Sequence, residues 1–139
     1  MACAENDKER ALEFRGKVVL NAIGRRLCEL DSSIEFGDEN RDYTVKFCRI
    51  GGNPFIIGWI RDDNTKDGKF ATVKIEPDDS SKGKTGTVYF GKKNYLTNST
   101  IWNFKAEDAD EVARLIQVWV RGSDEECAEI TDRFGELPD

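Results

Sequence analysis

Residues 99–120, STIWNFKAEDADEVARLIQVWV, contain a change of period that decides the fold class. In the first half, Trp102 and Phe104 point to the side opposite Asn103, as in a half-buried strand. In the second half, apolar residues recur at intervals of three, four and seven, which is the stripe of an amphipathic helix. The stretch therefore predicts a strand followed directly by a helix over residues 107–121, whose apolar side covers a sheet.

Local signals predict the ends of the C-terminal helices. Asp108 and Glu111 are three residues apart and form a variant of the capping box, with acids at the positive end of the helix dipole. Gly122 is placed to end the same helix. Residues 123–126, SDEE, match the S-x-x-E box and predict a short acidic helix over residues 123–134.

The preceding chain is predicted to supply another helix and the sheet. Residues 8–31 place apolar side chains at steps of three and four, which indicates a helix, although residues 14–20 also fit a short strand. Between residues 43 and 105, alternating segments separated by turn residues predict an antiparallel meander of about five strands. We expect residues 1–7 to be frayed and residues 135–139 to form a tail.

The length and the order of elements define the fold class. A chain of 139 residues and 15.8 kDa suits a single domain with an ordinary core. A helix, a run of strands and then further helices is the order typical of an α+β protein. We predict an antiparallel sheet or small open barrel of about five to seven strands, with an N-terminal and a C-terminal helix packed on it.

The residue types narrow the chemistry. The chain has no histidine, which removes the commonest general base and the commonest metal ligand. Its four cysteines form no CxxC pair, so neither a zinc ribbon nor a dithiol redox site is expected. We predict no catalytic residue, no metal site and no cofactor, and hence a protein that is not an enzyme.

Two local motifs resemble ligand sites and fail on spacing. Residues 83–85, GKT, look like the end of a P-loop, but Asp78 occupies the first glycine position and a strand follows. Asp62, Asp63 and Asp67 surround a turn without the spacing of an EF-hand. We interpret these acids as turn formers.

The sequence begins with no apolar leader and has no run long enough to span a membrane. We therefore expect a cytoplasmic or nuclear protein that is not secreted, with its cysteines as thiols.

Charge is distributed unevenly along the chain, whose formal net charge is −6. Residues 1–40 carry 6 basic and 9 acidic side chains, and residues 41–105 carry 12 basic and 7 acidic ones. Residues 106–139 carry 3 basic and 11 acidic side chains. Such segregation favours steering toward a charged partner.

The leading functional hypothesis is a non-catalytic interaction module that binds a protein or peptide, as an inhibitor, immunity or adaptor protein would. Its acidic C-terminal region would meet a basic surface of the partner. The residues predicted for this contact are Asp108, Asp110, Glu111, Glu125, Glu126 and Glu129.

The alternative is a module that binds single-stranded nucleic acid through the central region. Basic side chains neutralise phosphates and aromatic rings stack on bases. We expect most of the interleaved aromatics to face the core; they are Tyr43, Phe55, Trp59, Phe70, Tyr89 and Tyr95. The basic residues predicted for this site are Lys82, Lys84, Lys92, Lys93, Lys74 and Arg61.

Residues 101–104, IWNF, continuing through residues 105–108, KAED, into the helix, resemble the closing element of the pleckstrin-homology-like superfamily. The similarity is to its Ran-binding and proline-rich-peptide-binding branches and to decapping activators. It implies a barrel of seven strands plugged by a helix, and binding of a peptide, protein or phosphoinositide without catalysis. It covers residues 99–120 and identifies no binding residue.

Overall fold

The computed structural model describes residues 6–37, 42–62, 68–77, 82–92 and 100–134. The protein is an α+β domain with an open, mostly antiparallel sheet, as predicted, and the described residues contribute six strands to it. Residues 14–20 are helical. The elements in chain order are α1 (Asp7–Leu30), β1 (Phe36–Gly37), β2 (Tyr43–Ile50), β3 (Asn53–Asp62), β4 (Lys69–Ile75), β5 (Gly86–Lys92), β6 (Thr100–Phe104), a 3₁₀ turn (Ala106–Asp108), α2 (Ala109–Arg121) and α3 (Asp124–Phe134).

The six strands lie in the sheet in the same order as in the chain, from β1 to β6. Strands β2 to β6 form an antiparallel meander, whereas the two-residue β1 pairs parallel to β2. The apolar strand β3 lies between β2 and β4 and pairs with both along most of its length. Short connections between neighbouring antiparallel strands are the simplest way to build such a sheet.

All three helices pack against one face of the sheet, which we call the covered face. Successive side chains of a strand point to opposite faces, so alternate residues form the core. The alternation predicted for Trp102 and Phe104 is confirmed, because both lie on the covered face. The buried apolar side chains of the covered face are Tyr43, Val45, Phe47, Ile56, Ile60, Ala71, Val73, Ile75, Val88, Phe90 and Phe104.

Two glycines allow close packing beneath α1. A Cβ atom on Gly16 would overlap Ile56 on β3. Glycine at position 16 therefore lets α1 lie closer to the sheet than a residue with a side chain would. A Cβ atom on Gly58 would overlap the ring of Tyr43, whose hydroxyl donates to the Leu20 carbonyl at 3.3 Å. Complete burial raises the pKa of Tyr43, so its hydroxyl stays protonated as a donor.

Aromatic contacts hold α2 and α3 against β5 and β6. The Trp119 indole N–H donates to the Gly91 carbonyl at 3.0 Å, which satisfies its buried polar atom. Its ring lies 5.8 Å from that of Phe90, and Phe134 stacks on Trp102 with 5.0 Å between ring centroids. The acidic helix predicted for residues 123–134 is α3, and it closes this end of the core.

The helix ends confirm the predictions for Ser123 and Gly122 and revise the one for Asp108. Ser123 and Glu126 form the reciprocal capping box, with bonds of 3.1 and 3.2 Å. The Asp108 carboxylate accepts from the backbone N–H of Lys105 at 2.9 Å and caps the 3₁₀ turn, so it forms no box with Glu111.

Gly122 ends α2 as predicted, with a φ of −86°. A Cβ atom there would overlap the Val118 carbonyl, which explains the glycine. No helix in the described part of the chain is both long and apolar enough to cross a membrane.

Candidate binding surface on the open sheet face

The sheet face opposite the helices, which we call the open face, carries the outward residues of β2 to β6. Among the described residues, the three helices pack only on the covered face. Apart from Ile50 at the tip of the β2–β3 hairpin, which is 70% exposed, the large apolar side chains of the open face are Trp59, which is 38% exposed, and five that are half-buried between their neighbours. These apolar residues are Phe55, Ile57, Trp59, Phe70, Tyr89 and Ile101.

Basic side chains interrupt this apolar surface, and no outward position within β2 to β6 carries a carboxylate. Lys46 on β2 and Lys74 on β4 flank Ile57 on either side in the register of the sheet. Arg61 lies at the end of β3, opposite Phe70. In a chain with a net charge of −6, this face is therefore locally positive.

Two of these cations lie over aromatic rings of the same face. The Arg61 guanidinium is 5.5 Å from the centre of the Trp59 ring, and the Lys74 ammonium is 4.8 Å from that of Phe55. Both distances are within the range of cation–π attraction. Lys74 also lies 3.8 Å from the carboxylate of Glu76, just beyond the end of β4.

The β5–β6 margin of the open face adds polar groups. The Lys84 ammonium donates to the Thr87 hydroxyl at 3.2 Å and to the Asn103 side-chain oxygen at 3.3 Å. The Thr87 hydroxyl also donates to Asn103 at 3.0 Å. Lys84 thus lies at the margin, whereas Lys82 is an exposed residue of the preceding turn.

A cleft of about 340 Å³ opens at the start of β3, at the end of the strand opposite Arg61. Its walls include Phe55, Lys74, Pro54 and Ile50, whose side chain is 70% exposed at the hairpin tip. The cleft is therefore apolar on one side, and the Lys74–Glu76 ion pair lines the other.

The structure brings together some of the residues predicted for a nucleic-acid site and separates others. Arg61 and Lys74 lie on the open face. Lys92 lies on the covered side, with its ammonium 6.0 Å from the centre of the Trp119 ring. Lys93 is outside the described residues.

The prediction that most central aromatics face the core is wrong. Tyr43 does, but Phe55, Trp59, Phe70 and Tyr89 belong to the open face, and Tyr95 lies outside the described residues. The physical reason is that the helices cover only one side of a sheet whose central strand is apolar on both.

The residues that the sequence prediction missed are Lys46, Ile57 and Ile101. In the sequence, Lys46 and Lys74 alternate with apolar residues of β2 and β4, which indicates that both lysines point away from the core. Pairing those strands with β3 would have placed Ile57 beside Lys46 and Lys74.

The predicted acidic surface lies on the helix side, away from the open face. Asp108 caps the 3₁₀ turn, and Glu126 caps α3. The bond from Arg114 lowers the pKa of Glu111; burial opposes this, and a further bond from Arg133 supports it. Asp110 lies 3.8 Å from Arg26. Glu125 and Glu129 are exposed on α3.

The one buried lysine among the described residues, Lys69, anchors α3 to the sheet. Its ammonium donates to the Cys127 sulfur at 3.2 Å and lies 3.6 Å from the Asp124 carboxylate. Burial alone would lower the pKa of Lys69, but these two partners outweigh it and raise the pKa. Lys69 is thus held as a charged structural contact.

Comparison of the chain with protein-family models, with curated proteins and with solved structures finds no match. The resemblance to the pleckstrin-homology-like superfamily therefore stays a prediction, and the open face has to be interpreted from its own chemistry.

Proposed function

We propose that this protein is a non-catalytic binding module whose open face binds single-stranded nucleic acid. The observation that carries the proposal is the combination of six apolar side chains with Lys46, Arg61 and Lys74 on a face without carboxylates at its strand positions. Rings accept bases by stacking irrespective of sequence, and cations neutralise the phosphates. A sheet covered by helices on one side and presenting aromatics on the other is a known platform for RNA.

Charge complementarity favours this ligand over a basic protein. The acids predicted to contact a protein lie on α2, α3 and the turn before them, on the helix side of the sheet. Asp108, Glu111 and Glu126 already serve caps and ion pairs there. The sheet therefore separates the acidic helices from the basic open face, so a polyanion that binds the open face is shielded from most of the negative charge.

The test is a titration with fluorescent single-stranded DNA and RNA, followed by anisotropy at about 50 and 200 mM salt. The open-face variant combines Lys46→Ala, Arg61→Ala and Lys74→Ala. The matched control combines Lys8→Ala, Lys17→Ala and Arg25→Ala, which remove the same charge from exposed positions of α1. Polyglutamate is a second ligand, with charge but no bases.

We expect the wild-type protein and the α1 variant to bind alike, with affinity falling as salt rises. The open-face variant should lose about two units of the slope of log K against log salt, because each single-strand phosphate contact contributes about 0.7. Equal losses in both variants, or equal binding of polyglutamate, would show attraction by charge alone. If no oligonucleotide binds at the lower salt, the proposal fails, and the acidic surface of α2 and α3 becomes the place to look for a protein partner.

A further inference from the structure

The outward residues of β3 form one continuous row on the open face. Phe55, Ile57, Trp59 and Arg61 follow one another along the strand. Alternate residues of a strand are about 6.8 Å apart, so the Cα atoms of Phe55 and Trp59 are about 14 Å apart. Successive bases of an extended nucleic-acid strand are separated by a distance similar to the spacing of about 6.8 Å between alternate residues. There is therefore room for one base over Ile57, between the rings of Phe55 and Trp59.

Each of the two rings already has a cation above it. Arg61 lies over Trp59 at 5.5 Å, and Lys74 lies over Phe55 at 4.8 Å. A base that enters between ring and cation stacks on the ring and keeps the cation on its other side, where both contacts are favourable. The face has two further aromatics: Phe70 lies on β4 opposite Arg61, and Tyr89 is two strands away from Trp59 on β5.

The surroundings of this row fit a strand that follows β3. Lys46 and Lys74 stand on either side of Ile57, where the backbone of such a strand would pass. At the Phe55 end, the cleft of about 340 Å³ offers the last base an apolar wall and the ammonium of Lys74, which is paired with Glu76.

We infer that single-stranded nucleic acid runs along β3, with bases stacked on Trp59 and Phe55, and does not cross the sheet from Trp59 to Tyr89. The inference rests on the proposed function and assigns a direction and two base positions to it.

The experiment compares Trp59→Ala, Phe55→Ala and Tyr89→Ala in the same anisotropy titration with an oligothymidylate of about eight nucleotides. Tyr89→Ala is the matched control, because it removes another half-buried ring from the same face. Thermal unfolding followed by circular dichroism verifies that all three variants are folded. A second measurement follows tryptophan emission, to which Trp59 contributes from the open face while Trp119 is buried and Trp102 packs against the core.

We expect Trp59→Ala and Phe55→Ala each to weaken binding about 5-fold to 100-fold, as for the loss of one stacked base, and Tyr89→Ala to weaken it less than about 2-fold. The oligonucleotide should quench wild-type emission, and Trp59→Phe should abolish the quenching while it preserves binding. If Tyr89→Ala is as harmful as Trp59→Ala and Phe55→Ala is neutral, the strand crosses the sheet and the inference is wrong. If wild-type emission does not change on binding, stacking on Trp59 is wrong. If the wild-type protein binds no oligonucleotide, the proposed function itself has failed.

Discussion

Ile56 and Ile57 are neighbours on one strand and belong to different environments. Ile56 is fully buried under α1 against Gly16, whereas Ile57 is half-buried on the open face between Lys46 and Lys74. The residue type is the same, so the position of the helices alone decides which isoleucine stabilises the fold. Apolar side chains that contribute little to folding remain available for a ligand, which is the general meaning of an exposed apolar surface.

The largest expected effect comes from truncating these two residues separately. Ile56→Ala removes buried atoms and leaves a cavity, so we expect a loss of about 2 to 5 kcal/mol in the free energy of unfolding. Ile57→Ala should cost less than about 1 kcal/mol, because solvent already reaches its position. Urea unfolding of the two variants measures the difference. Similar losses would mean that the open face is covered in solution.

A smaller effect tests how closely α1 approaches the covered face. Gly16→Ala places a methyl group against Ile56, and this overpacking costs about 1 to 3 kcal/mol. The gain in helix propensity, about 1 kcal/mol, offsets part of this cost. We expect a net destabilisation of about 1 kcal/mol in urea unfolding.

Gly24→Ala is the control for that variant. Its new methyl group would lie 2.9 Å from the ring of Phe36, which is only half-buried and can move aside. It should therefore be closer to neutral than Gly16→Ala. A stabilising Gly16→Ala would contradict the close contact between α1 and β3.

The sequence predicted the two sides of β6 because Trp102 and Phe104 alternate with Asn103 and Lys105. The same reasoning could not assign the sides of β3, where residues 55–60 are apolar on both faces apart from Gly58. A strand of that kind is typical of a sheet buried on both sides. Large rings are usually buried, so placing Phe55 and Trp59 in the core was the ordinary expectation. Whether the rings of β3 are buried depends on whether helices cover one or both faces of the sheet, and no local sequence pattern encodes that.

The candidate binding residues divide in a similar way. Arg61 and Lys74 were predicted and lie on the open face, because each occupies an outward position of its strand. Lys92 belongs to the opposite side, since it pairs in register with the buried Lys69. Counting charges along the chain could not show that Lys74 and Lys92 lie on opposite faces of the sheet. The register between β4 and β5 shows it.

The smallest expected effect concerns the helix side, where acids and bases are paired within the protein. Glu111 on α2 accepts from Arg114 and, at 2.9 Å, from Arg133 on α3. The Arg114 bond lowers the pKa of Glu111 below its usual value of 4.5; burial opposes this, and Arg133 adds to it. A folded-state pKa below the unfolded one stabilises the protein above the unfolded pKa, and this stabilisation is lost as the pH falls through the folded pKa.

Glu111→Gln should therefore be less stable than the wild type at pH 7 by less than about 1 kcal/mol, because the pair is partly exposed. The difference should shrink as the pH falls below about 4.5 and disappear below the folded pKa. Urea unfolding at pH 7 and at pH 3 measures both points, and Glu125→Gln, at an exposed position of α3, controls for the change in net charge. A difference that grows toward low pH would contradict the pairing. If the difference behaves as expected, Glu111 is engaged within the fold by Arg114 and Arg133.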